Sequence, residues 1–226
     1  MTRRDGTDGT TVAIAGGKGG CGKTTTTLGL ALALVDRGHE PIVVDADVDI
    51  PDLHIRAGVA REPGIPAVAA GDRPVRALQP STRYPGVSVL ATGTATTEVE
   101  TALERVARTP RPVVIDCPAG AGPDVSAPLR AAHRSVVVTT TDPASRVDAA
   151  KTARMADTLG ATPAATVRRA RPEQADGTVD WRREEAHLDG RPVPTREVVV
   201  PHVEGRPLAR ESVRDGYETV AAALGW

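Results

Sequence analysis

Phenylalanine is absent from the 226 residues, aromatic side chains make up only 2%, and lysine occurs three times, as Lys18, Lys23 and Lys151. Lys and Arg together number 28, so the other 25 are arginine. With Ala, Val and Gly abundant, this is a compositional drift towards Arg, and it makes each surviving lysine worth inspecting. Cysteine is nearly as scarce: Cys21 and Cys117 stand far apart and neither belongs to a CxxC pair. A disulfide framework, a zinc site and a self-contained iron–sulfur site are therefore poorly supported, and a reducing compartment fits. No run reaches the length of about 18 apolar residues that a membrane span needs. Arg3 and Arg4 near the start are not followed by an apolar segment, so a signal peptide is not expected either and a cytoplasmic location is. Charge of one sign is also missing. The 28 basic residues face 29 acidic ones for a net charge of -1, so any binding to DNA or an anionic membrane must be local or conditional.

What is present suits one α/β domain, since 40% of the residues are apolar and the length is short for two. Residues 1–9 are polar and rich in Gly and Asp and read as a flexible tail, which leaves 10–226 as the domain. Thr11–Ala15 reads as a strand, glycines follow, and the apolar stripe from Leu28 to Val35 reads as a helix ended by Gly38. Further strands are expected at 41–45, 87–90, 112–116, 135–140, about 163–168 and 197–200. Helices are expected at 97–108, 123–132, 144–159 and 208–224, with short helical turns and loops over 55–85 and a charged excursion between the last two strands. Such alternation predicts a doubly wound, mostly parallel sheet with helices on both faces, in a single domain.

Gly17-Lys-Gly-Gly-Cys-Gly22-Lys23-Thr24 satisfies GxxxxGK[ST] and lies between a predicted strand and a predicted helix, the context this motif requires. Its glycines let backbone N–H groups converge on phosphate oxygens at the helix N-terminus. Lys23 would reach the β and γ phosphates, and the Thr24 hydroxyl would ligate Mg²⁺. A glycine-rich turn with a coincidental Lys-Thr is the bland alternative. Against it, two of the three lysines, Lys18 and Lys23, sit inside this one loop.

The longer string Gly16-Gly17-Lys18-Gly19-Gly20-Cys21-Gly22-Lys23-Thr24-Thr25 resembles the deviant Walker A loop of the ParA/MinD family of P-loop ATPases. Val43-Val-Asp45-Ala-Asp47 is similar to that family's switch I, and Val114-Ile-Asp116-Cys-Pro-Ala-Gly120 to its Walker B and switch II. Gly93-Thr94 and Thr139-Thr-Thr-Asp-Pro143 follow in family order, and residues 161–196 find no match. The resemblance implies ATP and Mg²⁺ as ligands and an ATP-dependent homodimer in which Lys18 reaches the partner subunit's phosphates. It further implies that Asp47 holds the attacking water, that Asp45 lies in the outer shell of the metal and that Asp116 holds Mg²⁺ through water. Cys21 fills a variable loop position. The family usually ends the strand after its last long helix with an Asn that reads adenine; here that stretch is Ala165-Thr-Val-Arg168-Arg169, so adenine preference is inherited from the resemblance alone.

In this family hydrolysis times the release of a dimer from a surface under the influence of an activating regulator, which the sequence does not name. Non-specific DNA is one candidate surface, through Arg168, Arg169 and Arg171 with Arg182 and Arg183. Yet residues 161–200 hold 7 arginines and 7 acidic residues, which also describes a solvated, salt-bridged face. Membrane is the weaker candidate, because 208–226 reads as the domain's own last helix rather than an added amphipathic tail. The expected function is an ATP-hydrolysing dimerisation switch for partitioning DNA or for MinD-like positioning. A metal or iron–sulfur cluster assembly ATPase, and a nucleotide-dependent binding switch with negligible turnover, are the alternatives.

Overall fold

The computed structural model describes residues 10–94, 98–120, 122–170 and 196–226. The expected tail at 1–9 and the charged excursion, with Arg171, Arg182 and Arg183, lie outside the described residues. The strands are β1 (Thr11–Ala15), β2 (Ile42–Asp45), β3 (Gln79–Pro80), β4 (Ser88–Leu90), β5 (Val113–Asp116), β6 (Arg134–Thr140), β7 (Thr162–Ala170) and β8 (Arg196–Pro201). They form one sheet in the order β3-β4-β2-β5-β1-β6-β7-β8. Every pair is parallel except β3 with β4. The helices are α1 (Lys23–Asp36), α2 (Leu53–Ala57), α3 (Ile65–Ala69), α4 (Pro74–Ala77), α5 (Val99–Val106), α6 (Pro123–Ala131), α7 (Pro143–Thr158) and α8 (Glu211–Leu224).

Strand residues alternate between two apolar layers, as a period of two requires. Val12, Ile14, Val43, Val114, Val136, Val138 and Val167 join α1 and α8 on one face. Ile42, Val44, Val113 and Ile115 meet α3 and α5 on the other, where Ala13 and Ala15 lie against Val125 and Leu129 of α6. Valine and isoleucine dominate because a strand covered on both faces buries both sets of side chains, and β-branched residues fit that pleat. Among the described residues, no helix is long and apolar enough to cross a membrane.

Two expectations are corrected. The closing helix does not start at Leu208: a 3₁₀ turn occupies Pro207–Ala209, and Arg210, extended at φ -89 and ψ 128, separates it from α8. The seventh strand runs on to Ala170 because β8 pairs with it from Ala165 to Ala170, so its backbone groups are satisfied two residues further than its apolar run suggests.

Candidate nucleotide site

β1 delivers the chain to the carboxyl edge of the sheet, where open α/β folds place their ligands. The chain then turns through Gly16–Gly22 into α1. Gly22 caps α1 at φ 104, in the left-handed region that glycine enters without strain, and no side chain caps the helix. No acid occupies the first turn of α1, so the positive end of its dipole and its first amides are left to an external anion. Lys23 is buried, Thr24 and Thr25 are half-buried, and Lys18, Gly19 and Gly20 are exposed.

Two neighbouring strands end in acids beside this loop. β2 and β5 pair in register, so Asp45 stands opposite Asp116. Both are almost fully buried, at 1% and 3% exposure. Asp116 accepts a hydrogen bond from the Thr27 hydroxyl at 3.2 Å, and the Thr24 side chain lies near enough to favour its charged form as well. Burial raises its pKa to about 7, with these two side chains and the charge of Lys23 working in the other direction. Burial and then the charge of Asp116 push Asp45 up to about 8. Asp45 Oδ1 accepts from the Asp47 N–H at 3.2 Å, while Oδ2 is buried with no partner.

A hard cation fits these residues. Two carboxylates held side by side, one with an orphaned oxygen, and a threonine hydroxyl on the same loop are the oxygen donors Mg²⁺ selects. Among the described residues, no group of three His, Cys, Asp or Glu forms a complete protein cage. The ion would therefore keep waters and share phosphate oxygens, as Mg²⁺ ordinarily does.

Other expected residues lie around this centre. Asp47 is half-buried, and its Oδ1 accepts from the Ile50 N–H at 3.1 Å, which holds the 47–50 turn. Lys18 pairs with α7: its Nζ lies 3.0 Å from Asp142 Oδ2 at the N-cap of that helix, where Asp142 Oδ1 accepts from the Ala144 N–H at 3.2 Å. Gly17 packs so closely on Asp148 of α7 that a Cβ would overlap it. Cys21 is buried and its thiol is pushed up, chiefly by burial, as is that of Cys117. Neither is poised as a thiolate nucleophile.

The proposed arginine patch is corrected. Arg168 and Arg169 are 2% and 6% exposed, Arg168 pairs with Glu197, and Arg169 lies against Gly22 of the loop. Both belong to the interior of the sheet's carboxyl edge, because β8 and α8 cover that end of β7. Sequence reasoning passed over Thr27 and Asp142. Thr27 stands three and four residues after Thr24 and Lys23, on the same helical face, and that spacing was the available signal. A groove of about 810 Å³ runs along another face of α1, between Leu28, Leu32, Tyr84 and Leu208; it meets the loop region at Thr25 and is not lined by the carboxylates.

Residues 12–200 match the family model described as the CobQ/CobB/MinD/ParA nucleotide binding domain. An uncharacterized ATP-binding protein of Methanocaldococcus jannaschii is 33% identical over 159 residues, 66% of this chain and 60% of that protein. The antiactivator FleN of Pseudomonas aeruginosa is 29% identical over 61% of this chain and 53% of its own length. The chain thus spans between half and two thirds of these relatives. Among solved structures, the cell division ATPase MinD of Pyrococcus furiosus superposes with a TM-score of 0.75 at 23% identity, over 96% of this chain and 98% of that one. A loop of this sequence between β1 and α1, two acids on the adjoining strands and this match point one way: the chain belongs to the CobQ/CobB/MinD/ParA nucleotide-binding family.

Proposed function

We propose that the protein is a Mg²⁺-dependent ATPase that works as a dimerisation switch in spatial organisation within the cell. One observation carries this reading: the uncapped N-terminus of α1, with Lys23 buried in it, adjoins the Asp45 and Asp116 pair. The loop amides and Lys23 hold the β and γ phosphates. Thr24 and Asp116 would hold Mg²⁺, with Asp45 beside Asp116 on the adjoining strand. When bound, the ion neutralises charge that develops on the transferred phosphoryl group. Asp47 orients the attacking water, and Lys18 leaves Asp142 to meet the partner subunit's phosphates. The ATP-binding relative named above supports adenine nucleotide as the ligand, and similarity to septum site-determining proteins supports a positioning role as the class of function. Burial of both thiols weighs against cluster assembly.

A switch with negligible turnover is the second reading, favoured by the hydrogen bond from the Ile50 N–H that engages Asp47 Oδ1 in holding its own turn. Calorimetry and phosphate release decide. Lys23→Ala should abolish ATP binding, since a charge in a dry phosphate cradle is worth several kcal/mol. Asp47→Ala should bind ATP normally and release phosphate at least about a hundred-fold more slowly. Wild-type ATP affinity in the Lys23 variant would remove the nucleotide site, equally fast phosphate release by wild type and Asp47→Ala would move catalysis to another residue, and a wild type that binds ATP yet releases almost no phosphate would establish the second reading.

A further inference from the structure

Arg169 is a cation that the roles above leave unused. It lies near the carboxyl end of β7, opposite Thr140 of β6, and is 6% exposed. Its side chain reaches the phosphate loop: a Cβ on Gly22 would stand 2.5 Å from Arg169 Nη1 and 2.7 Å from its Cδ. Its Nε is buried without a hydrogen-bond partner. Among the described residues no acid lies within ion-pairing distance of it, whereas its neighbour Arg168 has Glu197. The buried Tyr217 phenol, which feels its charge, is protonated and offers no anion.

The surroundings make this placement worse for the protein alone. Arg169 meets the loop where the positive end of α1 emerges and one residue from Lys23. Three sources of positive potential converge there, and a buried, unpaired charge is among the costliest arrangements a fold contains. An anion at the loop resolves all three together. The topology gives its orientation: β5 and β2, with their acids, flank β1 on one side, and β6 and β7 flank it on the other. A metal-bearing terminal phosphate would turn towards the acids, which would leave the inner phosphates on the side of β7.

Building on the nucleotide-site reading, we propose that Arg169 is a third phosphate-binding cation of this site, donating to oxygens that ADP and ATP share. It differs from Lys18, whose role is across the dimer, and from Lys23, which serves the terminal phosphates. The nucleotide would supply the counter-charge that no described residue gives Arg169.

The test compares full-length wild type with Arg169→Gln, Arg169→Met and Arg169→Lys by thermal melting and by titration with Mg-ADP and Mg-ATP. Without nucleotide, the Gln and Met variants should melt at or above the wild-type temperature. Their affinities for ADP and ATP should fall together, by about ten- to a hundred-fold, the worth of a charged hydrogen bond. Arg169→Lys should recover a large part of that loss, because a point charge still serves a phosphate. Both neutral variants melting lower or failing to fold would overturn the proposal, since Arg169 would then support the fold. ADP affinity within two-fold of wild type in the Gln variant would overturn it too, and so would a Lys variant as weak as Gln, which would assign the side chain to the base. Wild type that binds neither nucleotide would instead refute the nucleotide-site reading, and this proposal with it.

Discussion

Asp45 and Asp116 are raised to about 8 and about 7 by burial, so at neutral pH each holds a proton part of the time when no metal is present. An unfolded chain releases the same protons near pH 4. Between pH 4 and 8 the folded protein therefore binds more protons than the unfolded one, and the contribution of these acids to stability, full below pH 4, is lost as pH rises through that window. Asp116→Asn removes one of the two titrations. In urea denaturation without Mg²⁺ or nucleotide, wild type should lose more stability than Asp116→Asn between pH 5 and pH 8, by about 1 kcal/mol or more. A variant that falls as steeply as wild type would show that Asp116 ionises at an ordinary pH. Mg²⁺ with nucleotide should stabilise wild type more at pH 8 than at pH 5, because cation and proton compete for the same oxygens.

Among the elements, α1 ties site to core. Gly22, Thr26 and Gly29 lie on its face towards β7 and α8, where the Thr26 hydroxyl is 3.4 Å from the Tyr217 hydroxyl and a Cβ on Gly29 would overlap the buried Tyr217 ring. Gly29→Ala should destabilise the protein. Helix propensity returns about 1 kcal/mol, while overpacking against a ring with no room to move costs about 1–3 kcal/mol and wins at most settings of that range. A melting temperature above wild type would show that α8 yields at this contact. Short continuous apolar runs rich in β-branched residues, with glycine or proline nearby, made β1, β2, β5 and β6 readable to within a residue. The break before α8 was not readable, since Pro207-Leu208-Ala209 continues the apolar pattern and only the extended backbone at Arg210 ends it. Arg168 and Arg169 misled for a related reason: charge says surface, and only pairing with β8 and packing under α8 shows that this strand end is covered.

At the scale of the molecule, the loop, its lysines and the three acids were legible as residue types at fixed spacing, but their partners were not, because Asp142 lies 124 positions from Lys18. That exposed pair gives association a testable signature. Lys18→Ala should leave ATP binding by the monomer intact and weaken the ATP dimer by about 2–3 kcal/mol, since two nucleotides then face each other with less compensation. Sedimentation velocity with Mg-ATP in the Asp47→Ala background measures it, and a wild-type dimer population in the Lys18 variant would refute the role across the interface. The geometry of growth is also constrained at the sheet's margin. β3 is only two residues long, runs against its neighbour and includes Pro80, which has no N–H to offer a visiting strand. Strand-by-strand annealing of copies into a continuous ribbon is blocked on that flank. Under the proposed dimerisation, copies that join face to face through the same patch on each would be complete at two, so nucleotide concentration would adjust how many pairs exist and not how long an assembly becomes.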